Sequence, residues 1–324
     1  MRAGAQTLTL LAAPRAFLIL RSLTEGTKGR LELRRDAGSP AQSTFRSHIG
    51  VLESAGVVVK NRRDSFPGAL EYELTDAGRE LLVVADRLEG WLAGAPREPL
   101  ELGSDRAKAA IKGLVDSWCA TVLSALAAGP LTLTELDRQI SVVSYPMIER
   151  CLETMRLADQ VEVGARETRG TPYAVTDWLR RGIAPLAFGA RWEYRNETDG
   201  AVPIFRTDLD DVLRLATPKL GLPPELSGVC QLAVKIPHDE KQNRILGLLE
   251  VEEERISLGA PTPRHKPDAR ASGSVDDWFS TMLEADPKGL RLSGNRTLVQ
   301  TIFDRLHDVL FKKPGEQTEL AVQG

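Results

Sequence analysis

The sequence AFLILRSLTEG of residues 16–26 superposes on CATVLSALAAG of residues 119–129 at an offset of 103 residues. The same offset pairs five more positions, namely Leu33 with Leu136, Phe45 with Ile148, Ile49 with Leu152, Leu52 with Met155 and Ala55 with Ala158. After the next turn the offset becomes 101, and residues 72–75 fall on residues 173–176. The repetition indicates two copies of one unit, of which one has lost two residues in a loop.

Within each copy, the order of patterns predicts a winged helix-turn-helix. In the first copy an apolar helix ends at a glycine, a second helix follows, and a third carries Phe45, Ile49 and Leu52 at helical spacing. A β-like run at residues 57–59 and an alternating strand at residues 72–74 enclose a charged loop. Thr75-Asp76 then caps another helix, which completes the order of elements of a winged helix.

Four motifs in the first copy point to a known family. They are Phe17-Leu18-Ile19-Leu20, Leu31-x-Leu33-Arg34, Leu52-Glu53-x-Ala55-Gly56-Val57-Val58 and Tyr72-x-Leu74-Thr75-x-Ala77-Gly78-Arg79. Through them the copy resembles the HxlR-type branch of the MarR-like transcription regulators, which implies binding to double-stranded DNA. The second copy resembles that family more weakly. The cysteine that the family usually has ahead of the first helix is missing here, so a thiol-based sensing role has no support.

The charge distribution distinguishes the two copies. The whole chain has a net charge of -3, but residues 1–95 carry 13 basic and 11 acidic side chains and are cationic. Around the third helix and wing of the first copy, Arg46, Lys60, Arg62 and Arg63 stand against Glu53 alone, a net charge of +3. The equivalent residues 144–166 have a net charge of -1. A surface that approaches phosphates favours the first copy as the DNA-binding one.

The first turn of the third helix is the part of a helix-turn-helix that contacts base edges. We predict DNA contacts from five residues there and two on the wing, namely Gln42, Ser43, Thr44, Arg46, Ser47, Arg62 and Arg63. Arg46 suits guanine, whereas Arg62 and Arg63 suit phosphates or a narrow minor groove. The corresponding residues of the second copy, Tyr145, Pro146, Met147 and Glu149, suit protein packing better, and we expect a scaffold role for that copy.

Residues 201–324 follow a different pattern, which begins after a predicted linker at residues 194–203. Helices are predicted at residues 207–215, 274–283 and 295–310. Strands are predicted at residues 229–236, 244–251, 255–258, 269–272 and 289–293. The pattern indicates an α+β domain with no obvious nucleic-acid motif.

Part of this last region resembles another family. The residues concerned run from Ala271-Ser272-Gly273-Ser274-Val275-x-x-Trp278-Phe279 through Leu290-x-Leu292-x-Gly294-Asn295 to Phe303-x-x-Leu306. They resemble the carboxyl-terminal half of sterol carrier protein type 2-like domains, which implies an apolar pocket for a lipid-like ligand. The predicted ligand contacts are Trp278, Phe279, Met282, Phe303 and Leu306. Spacing alone favours an ordinary core for these residues, and both alternatives stay open.

Signals of enzymatic chemistry are missing from the sequence. No nucleophile elbow, zinc-protease motif, phosphate-binding lysine loop or dinucleotide-binding glycine pattern occurs, and the three cysteines and four histidines lie far apart. We therefore expect no catalytic residues, no metal and no cofactor. The apolar stretch from Leu8 to Leu20 is interrupted by Pro14 and Arg15 and is too short to span a bilayer, so we expect a cytoplasmic protein without a membrane partner.

Together these observations predict a multidomain protein with two tandem winged helices and a carboxyl-terminal α+β domain. The ranges are residues 1–95 for the DNA-binding winged helix, 96–200 for a divergent winged helix and 201–324 for a sterol-carrier-like ligand-binding domain. The predicted function is DNA-binding transcription regulation controlled by a hydrophobic small-molecule effector. The alternative is a carrier or sequestering protein whose winged helices bind other proteins. The two copies can form an internal pseudo-two-fold pair, and homodimerisation of whole chains is left open.

Overall fold

The computed structural model describes residues 3–62, 70–127, 129–165, 170–196, 206–236, 239–252, 255–259, 266–284 and 286–311. Arg63 and residues 197–203 of the predicted linker lie outside these described residues. One compact unit comprises Met1–Ala120, Ser141–Val163 and Thr176–Val202, and the other comprises Thr121–Ile140, Gly164–Val175 and Pro203–Gly324. The division into three domains stays a prediction.

The amino-terminal part of the chain forms the predicted helices and hairpin. Its elements are α1 (Ala5–Ala12), α2 (Pro14–Ser22), β1 (Lys28–Gly29), α3 (Arg30–Asp36), α4 (Gln42–Ser54), β2 (Val58–Arg62), β3 (Leu70–Leu74) and α5 (Asp76–Ala93). The strands form an antiparallel sheet in the order β1-β3-β2. Pro14 occupies the start of α2, where its fixed φ and missing N–H are tolerated. The Thr75 hydroxyl caps α5 by accepting a hydrogen bond from the Gly78 N–H at 3.0 Å.

The middle of the chain repeats this order of elements. It forms α6 (Asp105–Val115), α7 (Ser117–Ala127), β4 (Leu131–Thr132), α8 (Leu133–Gln139), α9 (Tyr145–Leu157), β5 (Val161–Val163), β6 (Pro172–Val175), α10 (Asp177–Arg181) and α11 (Ile183–Arg195). The elements β4, α8, α9 and β5 begin 103 residues after β1, α3, α4 and β2. Helix α10 begins 101 residues after α5. Together α10 and α11 occupy the range that α5 would have if it were shifted by 101 residues.

The carboxyl-terminal part is a mixed sheet with helices. It contains α12 (Arg206–Ala216), β7 (Gly228–Ile236), β8 (Asp239–Glu252), β9 (Arg255–Gly259), β10 (Ala269–Gly273), α13 (Val275–Glu284), β11 (Arg291–Gly294) and α14 (Arg296–Phe311). The strand order is β11-β10-β7-β8-β9, with β7 and β10 parallel and all other neighbours antiparallel. Helices α13 and α14 pack on β7 and β10.

Seven of the eight predicted segments after residue 200 agree with the structure to within two residues at each end. The exception is the second strand, which was predicted to begin at Arg244. Strand β8 begins five residues earlier because its pairing with β7 continues until Asp239 lies opposite Ile236. The segment reads as a turn in the sequence because its residues are polar, and the hairpin partner overrides that local preference.

Candidate functional site

The turn between α3 and α4 sets the direction of the predicted DNA-reading helix. Gly38 and Ser39 take positive φ angles of 82° and 53°, which turns the chain sharply after α3. The Ser39 N–H donates to the Arg34 carbonyl at 2.8 Å, and the Arg34 Nε donates to the Pro40 carbonyl at 2.8 Å. Arg34 of α3 therefore fixes Ser39 and Pro40 through its backbone and its side chain. These two bonds set the direction in which α4 begins.

Helix α4 has one buried and one exposed face. Phe45, Ile49 and Leu52 are buried and anchor the helix, as the spacing predicted. The opposite face carries four of the five predicted base-contacting residues in exposed positions, namely Gln42, Ser43, Arg46 and Ser47. Thr44 is half-buried and lies at the edge of this face. The geometry thus brings the predicted residues together on one accessible surface.

The amino terminus of α4 has no side-chain cap, a feature that it shares with α1, α2, α3, α9 and α11. Its N-cap residue is Ala41, which has no side chain that could accept a hydrogen bond from the first turn. By contrast, α5, α6, α8 and α10 begin at threonine or serine caps whose hydroxyls accept such bonds. An uncapped helix terminus offers backbone N–H groups and a positive dipole end to an anion. This feature was not predicted, although the alanine before Gln42 was its signal in the sequence.

The wing extends the exposed cationic surface. Lys60 and Arg62 are exposed on β2, two residues apart and therefore on the same face of the strand. Between them, the Asn61 amide donates to Glu73 Oε1 at 2.6 Å, which ties β2 to β3. None of the ion pairs among the described residues includes Arg46, Lys60 or Arg62. Arg63, the remaining predicted wing contact, lies outside the described residues.

His48 lies next to the exposed face, half-buried on α4. Burial lowers the pKa of its imidazole below the ordinary value of 6.5, and the positive charge of Arg15 lowers that pKa further. The imidazole is therefore neutral near pH 7. The positive charge of the surface around α4 therefore comes from arginine and lysine side chains.

A buried lysine braces the elements behind the reading helix. Lys28 Nζ lies 2.9 Å from Asp36 Oδ2 and 2.5 Å from Glu25 Oε2. The Ser22 hydroxyl donates to Asp36 at 2.5 Å, and this bond, followed by the one from Lys28, lowers the pKa of the Asp36 carboxyl. These contacts join the end of α2 to the end of α3 and so support the turn that aims α4.

The equivalent surface of the second copy has different chemistry. Tyr145 at the start of α9 is 43% exposed, and Pro146 follows it. Glu149 and Glu153 are exposed on the same helix. Arg150 and Arg156 are exposed on α9 as well, so the charges of this helix balance, and Glu149 stands where α4 has Arg46. The local features thus agree with the charge difference seen in the sequence.

The five predicted ligand contacts of the carboxyl-terminal part are all buried. Trp278 is 0% exposed, and its Nε1–H donates to the Ala233 carbonyl of β7 at 2.9 Å. The Phe303 ring meets the Trp278 ring edge-on, with ring centroids 5.6 Å apart. Phe279, Met282 and Leu306 complete this buried set. Helices α13 and α14 pack against each other, and the Trp278 and Phe303 rings meet between them.

The described residues include neither a metal-binding cluster nor a single membrane-spanning helix. No group of three or more histidine, cysteine, aspartate or glutamate side chains is arranged to hold a metal ion. No single helix is long and apolar enough to cross a bilayer. Two bent pairs of helices reach that length and composition only together, namely residues 5–12 with 14–25 and residues 105–115 with 117–127.

Comparisons with known proteins concern the amino-terminal part of the chain. The family model of the HxlR-like helix-turn-helix matches residues 13–97. The relative found among curated proteins is an uncharacterized HTH-type transcriptional regulator, YtcD, of Bacillus subtilis (strain 168). It is 32% identical to this chain over 85 residues, which are 26% of this chain and 68% of the relative. The family match covers the elements that present α4 and the wing.

Proposed function

Through residues 13–97 this chain belongs to the HxlR-like helix-turn-helix family, and on that basis we propose that it is a DNA-binding transcription regulator. The observation that carries the proposal is the exposed face of α4 and β2. There Arg46, Lys60 and Arg62 project from the reading helix and wing without an ion-pair partner among the described residues. Such a surface can release counterions from DNA and reach base edges at the same time.

The roles within this surface follow from position. Arg46, one turn into α4, can donate two hydrogen bonds to guanine O6 and N7 in the major groove. The uncapped first turn, with Gln42 and Ser43, can bind a backbone phosphate through N–H groups. Arg62, and Arg63 by its position in the sequence, contact phosphates or the minor groove. A carrier protein with winged helices for protein contacts would not need this cationic face, which favours the regulator.

The second part of the proposal is that residues 96–200 form a divergent winged helix with a scaffold role. Its support is the repeated placement of elements and of one hydrogen-bond pattern. The Thr75 hydroxyl donates to the Gly56 and Val57 carbonyls. The Thr176 hydroxyl, 101 residues later, donates to the carbonyls of Asp159 and Gln160, which lie 103 residues after Gly56 and Val57. Residues at both positions 56 and 159 have positive φ.

The third part is that residues 201–324 bind a hydrophobic effector next to Trp278, Phe279, Met282, Phe303 and Leu306. Its support is the resemblance to sterol carrier domains and the convergence of these side chains between α13 and α14. The effector would act by population shift, which requires different affinities for the DNA-competent and incompetent states.

The complete burial of Trp278 equally suits a packed core, and the variant Phe303→Ala distinguishes a core from a ligand pocket. A core predicts a loss of about 3–5 kcal/mol in unfolding free energy. A pocket predicts a smaller loss of unfolding free energy in Phe303→Ala. It also predicts that apolar ligands quench the tryptophan fluorescence of this variant less than that of the wild type.

DNA binding is tested by a mobility-shift assay on the DNA that flanks the protein's own gene, with random duplex as competitor. Arg62→Ala should weaken binding to both duplexes and reduce the slope of log K against log salt by about 1. The matched control is Arg79→Ala, which removes the same charge from α5, where it is paired with Asp76 at 2.8 Å. A wild-type chain that retards neither duplex at low salt would overturn the proposal.

A further inference from the structure

We infer that the two copies form an internal equivalent of a homodimer, in which α5 pairs with α10 and α11 around a pseudo-two-fold axis. The inference rests on the proposed tandem winged helices. It identifies the segment that packs against the surface of α5. All the residues that carry it lie in one compact unit. The partner is the second copy of the same chain.

Two tryptophan hydrogen bonds exchange when the copies are interchanged. Trp91 Nε1–H donates to the Trp178 carbonyl at 2.8 Å, and Trp192 Nε1–H donates to the Ala77 carbonyl at 2.8 Å. Trp192 lies 101 residues after Trp91, and Trp178 lies 101 residues after Ala77, which is the offset of this part of the repeat. The first bond therefore maps onto the second. Reciprocal contacts of this kind define an isologous interface.

One pair marks where the axis passes. The guanidinium of Arg87 lies over the Phe188 ring, 4.9 Å from its centroid. Phe188 is 101 residues after Arg87, so this position contacts its own equivalent, as only residues on a two-fold axis do. The helices agree with this assignment. Helix α5 packs on α11, and α1 packs on α6, the helix at the matching place in the second copy.

The interface is also adapted to unlike copies. Phe188 accepts a cation–π contact from Arg87, whereas two first copies would place arginine against arginine. Trp178, where the first copy has Ala77, stacks on Trp91 with centroids 4.7 Å apart and returns a hydrogen bond to the Trp91 carbonyl at 2.8 Å. A Cβ at Gly182, where the first copy has Leu81, would lie 3.1 Å from the Trp91 ring. These differences favour pairing within one chain over pairing of identical copies.

The pseudo-symmetry leaves the chain with two unlike heads. The first copy presents Arg46 and Arg62, which have no ion-pair partner among the described residues, and the second presents α9, where Glu149 and Glu153 are exposed beside Arg150 and Arg156. Because α5 is already paired inside the chain, one chain carries one DNA-reading surface. A dimer of single-copy proteins with the same isologous interface would carry two DNA-reading surfaces.

The test exchanges the axial pair in the full chain. Phe188→Arg should lower the thermal midpoint by roughly 2–6 °C, because it sets two arginines face to face. The double variant Arg87→Phe/Phe188→Arg should recover part of that loss, since interchange about an axis restores the arginine–phenylalanine pair but leaves the new arginine beside Arg191, whose guanidinium lies 5.3 Å from the Phe188 ring centroid. A double variant no more stable than Phe188→Arg alone would overturn the inference.

A second measurement covers the case in which Phe188→Arg does not fold. The milder variants Arg87→Met and Phe188→Leu, alone and together, report the same pair through a double-mutant cycle. The combined variant should lose clearly less than the sum of the single losses in the thermal midpoint, and additive losses would overturn the axial contact. Neither measurement uses DNA or changes α4 or β2. Failure here therefore leaves the DNA-binding proposal standing, and a chain that passes here but does not bind DNA refutes that proposal alone.

Discussion

Arg46 is the residue on which the sequence specificity of the proposed regulator depends most. It is exposed on α4, and no ion pair among the described residues holds it. Arg46→Ala should weaken binding to the cognate duplex by about 1–3 kcal/mol more than binding to random duplex, because it removes a base-edge contact. Fluorescence anisotropy titrations with both duplexes measure the difference, and Arg79→Ala serves as the control. Equal losses on the two duplexes would show that Arg46 contacts phosphate only.

His48 gives the reading helix a dependence on pH. Its pKa lies below 6.5 in the folded chain, so the unfolded chain takes up the proton first as the pH falls. The stability linked to this residue is fully present above pH 6.5 and is lost as the pH falls toward the lower folded pKa. His48→Gln, which cannot titrate, should therefore flatten the decrease in unfolding free energy between about pH 7 and 5.5. Urea unfolding across that range measures it, and an unchanged slope would contradict the prediction.

At the scale of the element, α5 must approach the wing closely at one end and is unrestricted at the other. A Cβ at Gly78 would lie 2.3 Å from the Val57 carbonyl oxygen, whereas one at Gly90 would meet nothing within 4 Å. Gly78→Ala should cost roughly 1–3 kcal/mol of unfolding free energy, because backbone atoms have to shift. Gly90→Ala, the matched control in the same helix, should stabilise by about 0.5–1 kcal/mol.

Urea denaturation of both variants decides this prediction. Equal effects of the two substitutions would mean that α5 does not pack against the end of β2 as closely as the structure shows. The two variants, Gly78→Ala and Gly90→Ala, also distinguish two effects of a glycine in a helix. Gly90 has only the entropic disadvantage that any helical glycine has, whereas Gly78 is required by a tertiary contact.

At the scale of the whole molecule, the number of reading surfaces sets the stoichiometry on DNA. If each chain carries one, a palindromic operator requires two chains, with half-sites about 10 bp or a multiple of it apart. Native mass spectrometry should then find one 35.5 kDa chain on a half-site duplex and two on a full operator. Half-site duplexes that still bind two chains would point to a dimer that forms without DNA.

Much of the local structure was predictable from the sequence. The spacing of Phe45, Ile49 and Leu52 predicted α4 and its exposed face, because a helix returns each side chain to the same side every 3.6 residues. The match of residues 16–26 with 119–129 predicted the order of elements that recurs 103 residues later. The predicted strands and helices after residue 200 were confirmed, apart from the start of β8. These features depend on neighbours along the chain, which the sequence records directly.

Only the tertiary structure decided which surfaces meet. Trp91 reads as an ordinary residue near the end of a helix, yet it stacks on Trp178, 87 positions away. The parallel pairing of β7 with β10 likewise joins strands between which β8 and β9 lie in the sequence. Trp278 was an apolar residue with two open interpretations, and the fold buries it with its Nε1–H donating to the Ala233 carbonyl of β7. Periodicity shows that a face is apolar but not which other face covers it, because that choice depends on packing between segments distant in the chain.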